Sequence, residues 1–146
     1  MPKSTVLLHS RSGGSSGGYE QVVAQTENYK RLMDMLKENI LEHTKTVGVD
    51  FLKALKEVQA KHGESVGDAR GAGLFIGIEF VKDPESKTPD PELAQLVINK
   101  MYEKKILTSN CGPYGNVLKV RPPLVFKSED IDWFVSALDE SLTELN

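Results

Sequence analysis

Cysteine occurs once in this 146-residue chain, at Cys111, and histidine only at positions 9, 43 and 62. One thiol excludes an intrachain disulfide framework and a cysteine-rich zinc site. Three scattered histidines do not make a metal cluster. No apolar run approaches the 18 or so residues that a membrane span needs. The N-terminal "TVLLH" is shorter than the apolar region of a signal peptide, which points to a soluble intracellular domain rather than an exported one. Basic excess is also missing: 18 Lys and Arg stand against 21 Asp and Glu, a net charge of -3. Nucleic-acid binders carry a basic patch or stripe, so the charge offers no case for nucleic acid, nor does the hydropathy for membrane. What is present, 39% hydrophobic and 27% charged residues, is the composition of an ordinary folded domain.

"SGGSSGG", residues 12 to 18, reads as a Gly/Ser linker, native or left from expression. Residues 1 to 18 are therefore assigned to a tag, arm or linker, with "TVLL" as a possible edge strand. Residues 19 to 146 form the single domain. "YEQVVAQTENYKRLMDMLKEN" places Val22, Tyr29, Leu32, Met33 and Leu36 roughly on one helical face. "ILEHTKTVGVDFLKALKEVQAKHG" is better patterned, with Ile40, Leu41, Thr44, Val47, Gly48, Phe51, Leu52, Leu55 and Val58 at helical spacing. Gly63 is its stop. Gly48 within that stripe lowers helix propensity, which suggests a close packing contact.

From Val66 the period changes. "GDARGAGLFIGIEFV" reads as a turn feeding one strand to Val81, and "KDPESKTPDP" as a loop. Asp90 is placed to cap the next helix, with Pro91 at its first position and Leu93, Leu96, Val97 and Met101 inward. "ILTSN" and "NVLKVR" are strands around a "CGPYG" turn. Ser128 is expected to cap the last helix, whose inward stripe is Ile131, Phe134, Val135, Leu138, Leu142 and Leu145, with Glu129 and Asp130 at its positive end. From residue 38 the expected order is helix, strand, helix, strand, strand, helix. That pattern predicts an α+β fold: a small antiparallel or mixed sheet of three to four strands, helices on one face, preceded by a long helix or helix pair.

Candidate chemistry is sparse. "RGAGLFIG" lacks the strand-before, helix-after context of a dinucleotide loop, so its glycines read as close backbone contacts. Cys111 has no base beside it in sequence and reads as a passive thiol. The acidic loop of Asp83, Glu85, Asp90 and Glu92 lacks the spacing of a calcium loop. Lys119 and Arg121 share one face of a strand that Pro122 and Pro123 end. They admit two readings, a cationic edge that discourages aggregation and an anion site for carboxylate or phosphate.

Three segments together, "ENILEHTKTVGVDFLKALKEVQAKH", "VGDARGAGLFIGIEFVKD" and "NVLKVRPPLVFKSEDIDWFVSALDESL", resemble the C-terminal part of class III, fold-type I, pyridoxal-phosphate-dependent aminotransferases. The match spans about residues 38 to 145. "RG.GL..G.E" followed by "NVLK.RPPL.F" is its specific combination. "NVLK" before the prolines is most similar to the branch of ethanolamine-phosphate and 5-phosphohydroxylysine phospho-lyases. Many class III members hold the substrate carboxylate with an arginine three positions before the first proline. Here that position is Lys119, which lacks the planar fork of arginine. Lys119 is therefore the substrate-binding residue that the resemblance implies, with Arg121 as a possible anion contact. No residue is assigned to catalysis, cofactor binding or metal binding.

No segment resembles the large domain, which in the family supplies the Schiff-base lysine, the aspartate for the pyridine nitrogen and the phosphate loop. The resemblance thus implies a C-terminal fragment that binds no cofactor by itself, although its parent uses pyridoxal phosphate. Such a fragment is expected to be inactive alone. Its expected partner is the missing large domain or a homodimer mate, in the cytoplasm or the mitochondrial matrix. A non-catalytic interaction or dimerisation module, or a small-anion-binding domain, is the alternative.

Overall fold

A computed structural model describes residues 15–37 and 39–146. The chain divides into two compact units, residues 1–42 and His43–Asn146. Helix α1 (Ser15–Lys37) belongs to the first and begins inside the Gly/Ser tract. On it, Val22, Tyr29 and Met33 are exposed and Leu32 is half-buried. The "TVLL" segment and the Leu36 side chain lie outside the described residues, as does most of the tract assigned to a tag, arm or linker.

Helix α2 (Ile40–Lys61) carries the stripe expected of it from Val47 onward, burying Val47, Gly48, Phe51, Leu55 and Val58. Leu41, assigned to the same stripe, is exposed. Phe51 is fully buried between two other rings, Phe126 at 5.1 Å and Phe134 at 5.2 Å edge-on.

The stretch after Gly63 is not one strand but a hairpin. Strand β1 (Val66–Ala72) and strand β2 (Phe75–Phe80) pair antiparallel, from Val66 opposite Phe80 to Ala72 opposite Phe75. Only Gly73 and Leu74 connect them, and Gly73 has φ +55, a region glycine enters without steric cost. Helix α3 (Pro91–Glu103) starts as expected: the Leu93 N–H donates to Asp90 Oδ1 at 3.0 Å, and a proline opens it. Its buried residues are Ala94, Val97 and Met101, while Leu96 is exposed, so the inward face is rotated from the expected one. Strand β3 (Ser109–Cys111) and strand β4 (Val117–Val120) follow, then helix α4 (Ser128–Leu145). The cap of α4 is one residue earlier than Ser128: the Lys127 N–H donates to Asp130 Oδ2 at 3.0 Å.

The sheet order is β1-β2-β4-β3, with every pairing antiparallel. The fold is therefore α+β, as expected, with a four-stranded sheet. Alternation along the strands sorts their residues. Ile76, Ile78, Phe80, Leu118 and Val120 are buried in the core shared with the helices. Phe75, Gly77, Glu79, Val117 and Lys119 belong to the opposite, open face. The outer edge of β1 does not present bare ladder groups along its length. The Gln59 side chain accepts the Ala69 N–H at 3.2 Å and donates to the Gly67 carbonyl at 3.2 Å, standing in for a neighbouring strand.

Candidate functional site on the open face of the sheet

Strand β4 ends at Val120, and Arg121, Pro122 and Pro123 follow outside the ladder. Proline has no N–H to donate, so the stop is local in origin. The register then places residues that are distant in sequence in one cross-strand row. Arg70 on β1 is opposite Gly77 on β2, Gly77 is opposite Lys119 on β4, and Lys119 is opposite Ser109 on β3. Two strand spacings of about 4.8 Å separate the Cα atoms of Arg70 and Lys119. The residue between them has no side chain. A Cβ at Gly77 would meet Val117 Cγ1 at 3.0 Å, so the floor of the row is already in contact with its neighbour.

A shallow cavity of about 390 Å³ opens over this row, lined among others by Arg70, Gly77, Lys119, Arg121, Phe75 and Cys111. Its cations are held differently. Arg70 Nη1 donates to Glu79 Oε2 at 2.6 Å and to Asp68 Oδ2 at 3.1 Å. The bond to Glu79 raises the Arg70 guanidinium above its ordinary pKa. Burial pushes the Asp68 carboxyl up, but hydrogen bonds from Lys56 and Arg70 outweigh it and hold the group below the usual carboxylate range. Arg121 lies with its guanidinium carbon 3.9 Å from the centroid of the Phe75 ring, a cation–π contact. Lys119 pairs with no carboxylate among the described residues. Lys119 and Arg121 also line a second hollow of about 200 Å³, on the side of Pro122, Pro123, Phe126 and Trp133.

The structure thus brings Lys119 and Arg121 together, and it adds Arg70, which reading the residues alone left out. The missed signal was the two-residue Gly73–Leu74 connection, since a Gly-X pair between strand-like runs is a hairpin turn. Without the hairpin, the parity that joins Arg70 to Lys119 was not visible. Cys111 also lines this cavity, whereas neither His43 nor His62 does. His43 Nε2 is 2.9 Å from the Phe126 carbonyl oxygen and His62 Nε2 is 2.7 Å from Asp139 Oδ1. Asp83 in the acidic loop accepts the N–H groups of Glu85 and Ser86, the bonding of a turn rather than an ion site. Asp90 serves as a helix cap.

The model of the class III aminotransferases matches residues 22–142. The chain belongs to that family. Ethanolamine-phosphate phospho-lyase homolog 1 of Caenorhabditis elegans is 45% identical over 112 residues, covering 75% of this chain and 23% of that protein. The alanine–glyoxylate aminotransferase 2-like protein of Drosophila melanogaster is 37% identical over 113 residues, covering 77% and 23%. Among solved structures, a phospholyase from Arthrobacter in complex with phosphoethanolamine superimposes with a TM-score of 0.78 at 35% identity, over 85% of this chain and 29% of that one. The chain therefore spans under a third of the length of these relatives. Among the described helices, none is long and apolar enough to cross a membrane.

Class III aminotransferases use pyridoxal phosphate. That group calls for a lysine to form the imine and a carboxylate for the ring nitrogen. The open-face cavity offers cations and a thiol but no carboxylate among its lining residues. Asp68 is already bonded to Lys56 and Arg70. The residues lining this cavity do not by themselves fit the cofactor.

Proposed function

We propose that this chain is the C-terminal small domain of a pyridoxal-phosphate-dependent class III enzyme of the phospho-lyase-like branch. In the assembled enzyme its open sheet face closes over a cleft whose cofactor is held by a large domain. Lys119 then meets the anionic end of the substrate, and Arg121 adds a second positive charge at the same rim. Alone, the chain binds no cofactor and is inactive.

The observation that carries this reading is Lys119 itself. It is a cation without an ion-pair partner among the described residues, on an open sheet face, three positions before Pro122. The relatives that include an ethanolamine-phosphate phospho-lyase homolog and a phospholyase with bound phosphoethanolamine support the branch and the anion. A lysine there suits phosphate as a point charge better than it suits a planar carboxylate, which arginine grips with two parallel bonds.

The test is to add pyridoxal phosphate and phosphoethanolamine to the purified chain. The expected result is no absorbance band of a lysine-bound cofactor and no turnover, with amide shifts near Lys119 on adding phosphoethanolamine that Lys119→Ala abolishes. Turnover by the chain alone, or shifts that survive Lys119→Ala, would overturn the reading.

A second reading, an interaction or dimerisation module, is favoured by the exposed Leu107 and Trp133, which line one hollow. Contiguous bare apolar surface promotes association. Sedimentation over a range of concentrations decides it, and a monomer throughout argues against the module.

A further inference from the structure

We propose that Arg70 is a third anion-binding residue of the open face, reaching across Gly77 to share one phosphate group with Lys119. The inference rests on the reading of Lys119 above and extends it to a residue two strands away.

Three observations lead to it. Arg70, Gly77 and Lys119 occupy one cross-strand row on the open face, and strand side chains in one row project to the same side. Between the two cations the row carries only a glycine, so nothing rises from the floor to separate them. Arg70 is also pre-placed. Both of its carboxylate bonds use Nη1, to Glu79 and to Asp68, which leaves Nη2 and Nε without an acceptor among the described residues. Fixing one nitrogen of the guanidinium, in a residue that lines the cavity, suits the presentation of its remaining donors, because little side-chain freedom remains to be lost on binding.

Charge decides the class of ligand. Glu79 and Asp68 offset the charge of Arg70, and no carboxylate lines the cavity. Lys119 and Arg121 leave the rim with uncompensated positive charge. A carboxylate carries one charge and its two oxygens lie in one plane, so a single cation satisfies it from one side. A phosphate monoester carries close to two charges at neutral pH and directs three oxygens outward, so donors arriving from two strands can each take one. The row is built for the second geometry.

The experiment titrates the chain with O-phosphoethanolamine in one arm and β-alanine, a carboxylate of similar length, in the other, following backbone amide resonances. Arg70→Ala is expected to weaken phosphoethanolamine about tenfold and to leave β-alanine unchanged. A general structural defect would weaken both. Arg70→Gln removes the positive charge but keeps a hydrogen-bond donor for Glu79, and it is expected to weaken phosphoethanolamine by a similar factor, which covers the case in which Arg70→Ala does not fold. If Arg70→Ala, or Arg70→Gln in its place, binds phosphoethanolamine as the wild type does while Lys119→Ala does not, the assignment of Arg70 is overturned and that of Lys119 stands. If Lys119→Ala also binds as the wild type does, or the wild type shows no shift, the site reading falls and Arg70 falls with it.

Discussion

Gly48, in the middle of α2, packs directly beneath the backbone of Gly73 in the β1–β2 turn. A Cβ placed at 48 would stand well inside contact distance of the Gly73 carbonyl group. The long helix and the hairpin meet backbone to backbone at this point, with no side chain between them. The contact also accounts for a glycine in a helical stripe that otherwise favours larger residues.

Gly48→Ala is therefore expected to destabilise the chain despite alanine's better helix propensity. The propensity gain is about 1 kcal/mol, and overpacking against backbone costs about 1–3 kcal/mol. Backbone cannot move aside as a flexible side chain would, so the upper part of that range applies and the net loss is about 1–2 kcal/mol. Urea unfolding should show a lower midpoint with an unchanged slope. A higher midpoint would mean that helix and turn can separate at no cost.

Much of this fold was legible in the residues because its boundaries are local. Asp90 and Pro91 start α3 where chain chemistry puts them, Pro122 follows the end of β4 closely, and Gly48 announced its contact. The hairpin was not legible. In β1 the only buried apolar side chains are Val66 and Ala69, and a register shift between Val66 and Asp68 breaks the alternation that identifies strands. The faces of Leu41 and Leu96 were misjudged for another reason. Helical spacing says which residues share a stripe, but only tertiary packing says how far the cover extends. The place of Arg70 in the row depends on the hairpin, so reading the residues singled out Lys119 and Arg121 but not Arg70.

Removing the ring of Phe51 should be the most damaging single change in the core. It is fully buried against Phe126 and Phe134, and Phe→Ala at such sites costs about 3–5 kcal/mol. Phe126 sits in the segment after Pro123 whose carbonyl also meets His43. Phe51→Ala should therefore loosen residues 121–127 beyond its global effect, seen as faster amide exchange there. A loss below about 1 kcal/mol would contradict the packing.

Acid should destabilise the chain partly through Asp139. Hydrogen bonds from Lys61, at 2.6 Å, and from His62 hold its carboxyl below the ordinary carboxylate value of 3.8. A group whose folded pKa is depressed adds stability above its unfolded pKa and loses it as pH falls through the folded one. The Asp139 contribution is thus complete at neutral pH and fades below about pH 4. Asp139→Asn should be less stable at pH 7, and its loss on going from pH 5 to pH 2 should be smaller than that of the wild type. Parallel curves for the two proteins would exclude Asp139 as a source of the acid sensitivity.

The side chain of Gln59 is expected to guard the β1 edge. Gln59→Ala frees the Ala69 N–H, and it leaves the Gly67 carbonyl with only the Lys87 bond at 3.3 Å. The stability loss should be about 1 kcal/mol. The more telling change is association, because an unblocked edge can pair with a second chain. Light scattering on warming should rise earlier for the variant than for the wild type. Equal onset would mean that the edge is protected by something other than this amide.

Arg121 has two possible uses for its charge, and substitution at Phe75 separates them. The guanidinium lies over a ring that is itself more than half exposed, where such a contact contributes about 0.5–1 kcal/mol. Phe75→Leu removes the ring's electrostatics while keeping an apolar side chain on the open face. If Arg121 serves only to pin the end of β4, Phe75→Leu and Arg121→Ala should cost similar stability, and neither should alter phosphoethanolamine binding. If Arg121 contributes to the anion, Arg121→Ala should weaken binding more at low ionic strength than at high, since salt screens exposed charge, whereas Phe75→Leu should preserve that salt dependence. The second pattern is the expected one, because both Arg121 and Lys119 line the cavity over Gly77. Binding by Arg121→Ala equal to the wild type at low salt would restrict the anion contact to the row through Lys119.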